Sequence, residues 1–297
     1  MNVLPVEKRV QIVNLLVEGM SMRSVSRVAD VSINTVTKLL ADVGSACSEF
    51  QDKTMRKLNC KLVQCDEIWS FVGMKQRNVP HELRGVFGYG DVYTWTAIDP
   101  KTKLVPCWHV GTRDAHSAKH FIDDLADRLA HRVQLTTDGH AAYLGAVADA
   151  FNGHIDYAML VKLYGNEPAA REASRRYSPA ECIGSRKEVI NGYPDAEHIS
   201  TSHVERQNLT MRMGMRRFTR LTNGFSKKVE NHMHAVSLHF MHYNFARIHK
   251  TLRVTPAMQA GIADRVWTIE EIVRLLPEAV AKKRGPYKPR AAAQISN

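Results

Sequence analysis

Within the first 44 residues, apolar side chains recur at a period near 3.6, interrupted twice by short polar turns. Val10, Val13, Leu16 and Val17 share one face of a helix that Pro5 can open and Gly19 ends. Ser21 is placed to cap a second helix over residues 22–29, with Val25 and Val28 turned inward. After a tight turn at Asp30-Val31, Ser32 caps a third over 33–43, whose apolar side is Ile33, Val36, Leu39 and Leu40. Its early outward positions are Asn34, Thr35, Thr37 and Lys38, polar groups of the kind a recognition helix presents to base edges and phosphates. Residues 1–45 therefore read as a small helix-turn-helix domain for DNA, and the polar stretch 46–60 as a linker.

From residue 61 the pattern changes to strands. Residues 62–72 are β-branched and aromatic, yet carry two adjacent acids, Asp66 and Glu67, in mid-run. Carboxylates inside an apolar strand are costly unless paired or metal-bound. Adjacent strand residues point to opposite faces, so only one of the two is expected to face a shared site. A long hairpin connection over 73–90 leads to strands at 91–98 and 104–110, then a helix over 115–130 that buries Phe121, Ile122, Leu125 and Leu129. A fourth strand over 133–137 ends at Asp138-Gly139-His140, and residues 141–151 are helical. This order predicts an α/β fold with a mixed sheet. Asp138 stands at a strand end, where ligands gather in such folds. A strand at 155–161 is followed by scattered Gly and Pro among charges, which predicts a long surface excursion within an insertion at about 152–200.

Thr201 or Ser202 can open the next helix. Val204, Met211, Met215 and Phe218 line one face of it, and Glu205, Arg212 and Arg216 line the neighbouring one. Ser226 is placed to cap a further helix over 227–247 with an apolar stripe of Val229, Val236, Phe240 and Tyr243. His232, His234, His239 and His242 spread around its cylinder with no Cys or acid to complete a metal set, so they read as buried or surface histidines. Residues 263–297 read as a short helix and a basic, Pro-rich tail that includes Lys283 and Arg284, an arm for phosphates or a minor groove.

Five cysteines without a C-x-x-C pair fit reduced thiols in a cytosolic protein. The N-terminus does not read as a signal peptide, and no apolar run is long enough to span a membrane. The net charge of +11 is segregated along the chain. Residues 201–297 hold 17 basic and 6 acidic side chains, whereas the first 200 residues are balanced. A segregated excess of this kind points to a polyanion on that part of the molecule, nucleic acid first.

Asp66 in the first strand, Asp138 at the end of the fourth and Glu205 on a later helix make an ordered set. His203-Val204-Glu205-Arg206-Gln207-Asn208 resembles the third-acid motif of bacterial insertion-sequence transposases of the IS-one type, within the DDE superfamily. Thr137-Asp138-Gly139 resembles the second-acid motif. The run from Tyr243 to Leu252, with Thr255-Pro256, is similar to the segment that closes many such cores. The founding members' Cys-rich zinc finger is missing, and the 67 residues from Asp138 to Glu205 exceed the spacing of retroviral integrases.

The resemblance implies a ribonuclease H-like catalytic core over residues 61–262 with Asp66, Asp138 and Glu205 as its catalytic and metal-binding acids. It implies Mg²⁺ or Mn²⁺, two ions, since crowded hard oxygens select such cations. Arg206, Arg212 and Arg216 would hold the scissile strand, and His203 or Asn208 would steady the carboxylates. The partners implied are double-stranded DNA, as terminal inverted repeats and as target, and a second copy of the chain in a homodimer or higher oligomer. The setting implied is the cytoplasm of a bacterium, at the nucleoid, with no membrane. The rival expectation is a non-catalytic helix-turn-helix regulator with an α/β sensor domain. It accounts for the basic balance and residues 5–44 but not for acids at these three positions.

Overall fold

The computed structural model describes residues 4–164, 182–219 and 222–277. Three helices open the chain: α1 (Val6–Val17), α2 (Met22–Val28) and α3 (Ile33–Thr54). The Ser21 and Ser32 hydroxyls accept the amides of Ser24 and Thr35, as the sequence predicts for N-caps. Two inward assignments fail, because Val28 at the end of α2 and Ile33 at the start of α3 are exposed.

The expected linker over 46–60 is also corrected. α3 runs unbroken to Thr54, and Cys47, Gln51, Met55, Leu58 and Cys60 are buried. Nothing in 46–54 breaks a helix, and its apolar positions continue the periodicity of 33–43 onto the core.

The strands β1 (Leu62–Val72), β2 (Gly90–Ile98), β3 (Trp108–Gly111), β4 (Gln134–Asp138), β5 (Asp156–Tyr164) and β6 (Cys182–Asn191) form one six-stranded sheet in the order β3-β2-β1-β4-β5-β6. β2 and β3 run antiparallel to their neighbours, β1, β4 and β5 run parallel, and β6 returns antiparallel along β5. This is the mixed α/β sheet that the sequence predicts. Helices α4 (Ala115–Arg128) and α5 (Ala142–Phe151) cover one face. Helix α6 (Ser202–Gly214) and helix α7 (Val229–Met241) cover the other, and α8 (Pro256–Gln259) and α9 (Ile269–Arg274) follow. No described helix is long and apolar enough to cross a membrane.

Three element boundaries differ from expectation. The third strand begins at Trp108 because Pro106 has no amide to donate to a ladder. Instead, the Asn244 side chain accepts from the Val105 amide at 3.1 Å and donates to its carbonyl at 3.0 Å, satisfying a buried backbone unit that no strand pairs. The helix expected over 227–247 starts at Val229. Ser226 does not cap it; its carbonyl accepts the Gly73 amide and its hydroxyl meets His232. Past Met241 the chain loosens into a π-helix, His242–Ala246, which carries Asn244 and also Tyr243, whose hydroxyl donates to the Lys103 carbonyl at 3.0 Å. Finally, part of the excursion in 152–200 is a strand: β6 pairs with a β5 that extends to Tyr164, while residues 165–181 lie outside the described residues.

The N-terminal helices do not stand apart from the core. α3 packs along α7, with the Ser237 hydroxyl on the Gly44 carbonyl at 2.8 Å and the Gln51 amide on the Ser237 carbonyl at 3.2 Å. Gly44 permits that approach, since a Cβ there would stand 2.5 Å from the His234 Cβ. Gly44→Ala is expected to force the two helices apart at a cost of about 1–3 kcal/mol. Scanning calorimetry should show a melting temperature several degrees lower.

Candidate active site

β1 carries alternate residues to opposite faces. Gln64, Asp66 and Ile68 turn toward α6, and Val63, Cys65 and Glu67 toward α4 and α5. The ladder with β4 ends at Cys65 opposite Thr137, so Asp66 and Asp138 come next to each other where β4 stops. β1 and β5 run on beyond that point and leave a notch between them.

One oxygen each from Asp66, Glu67 and Asp138 lies within 4.8 Å of the others in this notch. The expectation that only one of the adjacent acids of β1 reaches the site is therefore corrected. Asp138 sits at the strand's end rather than within it, and Asp66 and Glu67 approach from the two faces of the sheet. Glu67 nonetheless has its own partners. Its side chain is only 2% exposed; Arg113 Nε donates to it at 2.7 Å and the Tyr143 hydroxyl at 3.2 Å. The same guanidinium stands 3.8 Å from Asp138.

Burial raises the Asp66 carboxyl to about 7, and the neighbouring charges of Asp138, Glu67 and, last, Glu205 add to it, against one bond from the Glu67 amide that lowers it. Burial and Asp138 raise Glu67 as well, while Arg113 and Tyr143 hold it down. Asn208 Nδ2 donates to Asp66 at 2.8 Å. His203 takes no such part: its ring meets Lys103 Nζ at 3.2 Å.

Two residues upstream of Asp66, on the same face, the buried Gln64 oxygen accepts the amides of His203 and Val204. This bond fixes the first turn of α6 over the notch, where Glu205 follows. Thr201 does not cap the helix through its side chain; its hydroxyl donates to Glu205. Glu205 stands outside the group of three. Its carboxylate binds Lys162 Nζ of β5 at 2.7 Å and is felt at Asp66 only through charge. The structure thus joins Asp66 to Asp138 and leaves Glu205 one ion pair away.

The buried face of α6 is as expected through Val204 and Met211. The helix ends at Gly214, so Met215 and Phe218 reach the core from the turn beyond it, and Arg216 lies in a 3₁₀ turn, exposed. Arg206 is exposed and Arg212 half-buried. On α3, Asn34 and Lys38 are exposed, Lys38 with Asp42 at 2.6 Å; the Thr35 and Thr37 hydroxyls bond within the helix, to Ser32 and the Ile33 carbonyl. Lys283 and Arg284 lie outside the described residues. Sequence reasoning missed Arg113 and Lys162, the two cations of the notch. The available signals were a lone basic residue just after β3 and a lysine closing an otherwise apolar run in β5.

These observations define a mixed α/β protein with a carboxylate notch at the end of its central parallel strand. Residues 86–164 match the family model described as a DDE domain, a span that contains Asp138 but neither Asp66 nor Glu205. Among solved structures, the chain is similar to a piggyBac transposase in a synaptic complex with hairpin DNA, at 11% identity over 91% of this chain and 69% of that one, with a TM-score of 0.39. It is also similar to the Mos1 transposase in a paired-end complex with the left transposon end, at 13% identity over 53% of this chain and 60% of that one, with a TM-score of 0.24. Likenesses this loose decide nothing about chemistry. No curated protein matches the chain.

The raised Asp66 carboxyl makes a pH-dependent prediction. Its folded pKa lies above the usual value, so the repulsion it suffers is present in full above about 7 and is relieved as pH falls through that value. In the presence of a chelator, Asp66→Asn is expected to be the more stable protein at pH 8, melting roughly 2–6 °C higher. The gap between variant and parent should narrow toward pH 5, as thermal melts across that range will show.

Proposed function

We propose that this chain is a DNA transposase that cleaves the ends of its element and joins the freed 3′-hydroxyl to target DNA. The observation that carries the proposal is the Asp66–Asp138 pair, two carboxylates from adjacent strands brought together where the sheet opens, the second of them inside the segment that matches a DDE domain. The donor set fits a divalent cation. Its atoms are all hard carboxylate oxygens, and their crowding raises Asp66 in a way that a cation would reverse. We assign Asp66, Asp138 and Glu205 as the residues that hold Mg²⁺ or Mn²⁺, two ions in all. Such ions, when bound, supply the Lewis acidity that activates a water or a 3′-hydroxyl and stabilises the leaving oxygen.

The chain's own groups do the rest. Asn208 orients the Asp66 carboxylate, and Gln64 fixes the turn of α6 from which Glu205 projects. Arg206, Arg212 and Arg216 follow Glu205 along the chain, where guanidinium groups suit the phosphates of a scissile strand. Asn34, Thr35, Thr37 and Lys38 of the N-terminal domain, residues 1–45, read the terminal repeats, and the basic tail with Lys283 and Arg284 adds phosphate contacts. Two ends must be joined together, which calls for at least a homodimer, and the bacterial nucleoid is the setting in which such an element moves. A regulator without catalysis leaves the notch unexplained, because a sensor domain has no use for two crowded acids beside the strand end.

The test is incubation of the full chain with DNA carrying the native flanks of its own gene and Mg²⁺ or Mn²⁺. Nicks at a defined position are expected, and Asp138→Asn should slow them by roughly 10³-fold or more, the scale on which loss of an essential group lowers turnover. Binding without cleavage by the parent chain in either metal would overturn the proposal in favour of the regulator.

A further inference from the structure

A cleft of about 700 Å³ lies between the N-terminal helices and the segment that follows α6. One wall is the turn from Gly19 to Arg23 together with Thr37 of α3; the other is built from residues 214–217 and 223–227. The walls meet at a close backbone approach, since a Cβ on Gly19 would lie 2.8 Å from the Gly214 carbonyl oxygen. Among the described residues, four cations line the cleft, Arg23, Arg216, Arg217 and Lys227, and no Asp or Glu does.

Arg217 is the unusual member. Its guanidinium donates to the Ser226 hydroxyl at 2.8 Å and to the Met22 thioether at 3.7 Å. Both acceptors are neutral, and no carboxylate among the described residues forms an ion pair with it. Burial lowers it to about 10, and no nearby acid offsets the burial. A half-buried guanidinium is ordinarily matched by an anion. His239 also lines the cleft, and its Nε2 is buried without a hydrogen-bond partner among the described residues. A half-buried cation held only by neutral acceptors, in a cleft lined by positive charge, makes a site suited to an anion.

We infer that this cleft receives a phosphodiester segment of duplex DNA, anchored on Arg217, next to the stretch read by α3. The inference rests on the transposase reading above and adds to it a backbone clamp that joins the recognition helix to the catalytic core. Thr37 of α3 lines the same cleft, so a strand leaving the recognition helix can pass along its wall. Guanidinium forks suit phosphate oxygens, and such contacts position DNA without reading its sequence.

The experiment measures binding of the full chain, as Arg217→Met, Arg217→Lys, Arg23→Ala and the parent, to a flank duplex and a scrambled duplex across a salt series. Arg217→Met should weaken both duplexes by about tenfold near 0.1 M salt and reduce the slope of log affinity against log salt by about one. Arg217→Lys should restore much of the slope, and the exposed Arg23→Ala should reproduce the loss more mildly. The melting temperature of free Arg217→Met should equal or exceed the parent's, because the variant no longer holds a partly desolvated charge without an anionic partner. Parent-like affinity and slope in Arg217→Met overturn the inference and leave the transposase reading intact. A markedly lower melting temperature would show that Arg217 is a structural strut, and overturns it equally. A parent chain that binds neither duplex overturns the transposase reading itself.

Discussion

β4 stops at Asp138 while the strands on either side of it continue, β1 to Val72 and β5 to Tyr164, and the negative charge gathered in the resulting notch constrains everything around it. At an effective dielectric near 20, like charges about 4–5 Å apart repel by several kcal/mol. The chain meets that repulsion with specific cations and donors: Arg113 for Glu67, with Asp138 nearby, Lys162 for Glu205 and the Asn208 amide for Asp66. A structural ion-pair network needs no such crowding. Paired carboxylates that remain close, with one of them raised toward neutrality, are what the proposed cation would relieve.

The rest of the molecule secures the two faces from which the acids arrive. Gln64 ties α6 to β1 beside Asp66, and Asn244 stands in for the strand that Pro106 prevents. α3 continues past the N-terminal helices to pack on α7 through Gly44, so those helices join the core without a separate linker. The Arg217 cleft lies at that junction. A DNA strand held there would couple the two parts directly, without a flexible linker between them.

Much of this was legible in the sequence where a pattern had one physical cause. The serine caps at 21 and 32, the strand with embedded acids, Asp138 before Gly139 and the buried face at Val204 and Met211 all depend on local chemistry or periodicity. What escaped depends on partners distant in sequence. Only the ladder end at Cys65 and Thr137 shows that Glu67 and Asp66 can both reach Asp138. Lys162 and Arg113 are ordinary basic residues until the fold sets them beside carboxylates. The strand β6 is exposed along most of its length, so it lacks the apolar alternation that announces a half-buried strand. α3's extension was hidden by its polarity, because its buried positions include Gln51 among the apolar ones.

The most direct test of the account is to locate a bound cation. Crystals grown with Mn²⁺ should show an anomalous peak within about 2–2.3 Å of oxygens from both Asp66 and Asp138, with Glu205 released from Lys162 toward the notch. A peak held by Glu67 with Arg113 displaced, or no peak at the notch at saturating Mn²⁺, would contradict the assignment of Asp66, Asp138 and Glu205 as the residues that hold the metal.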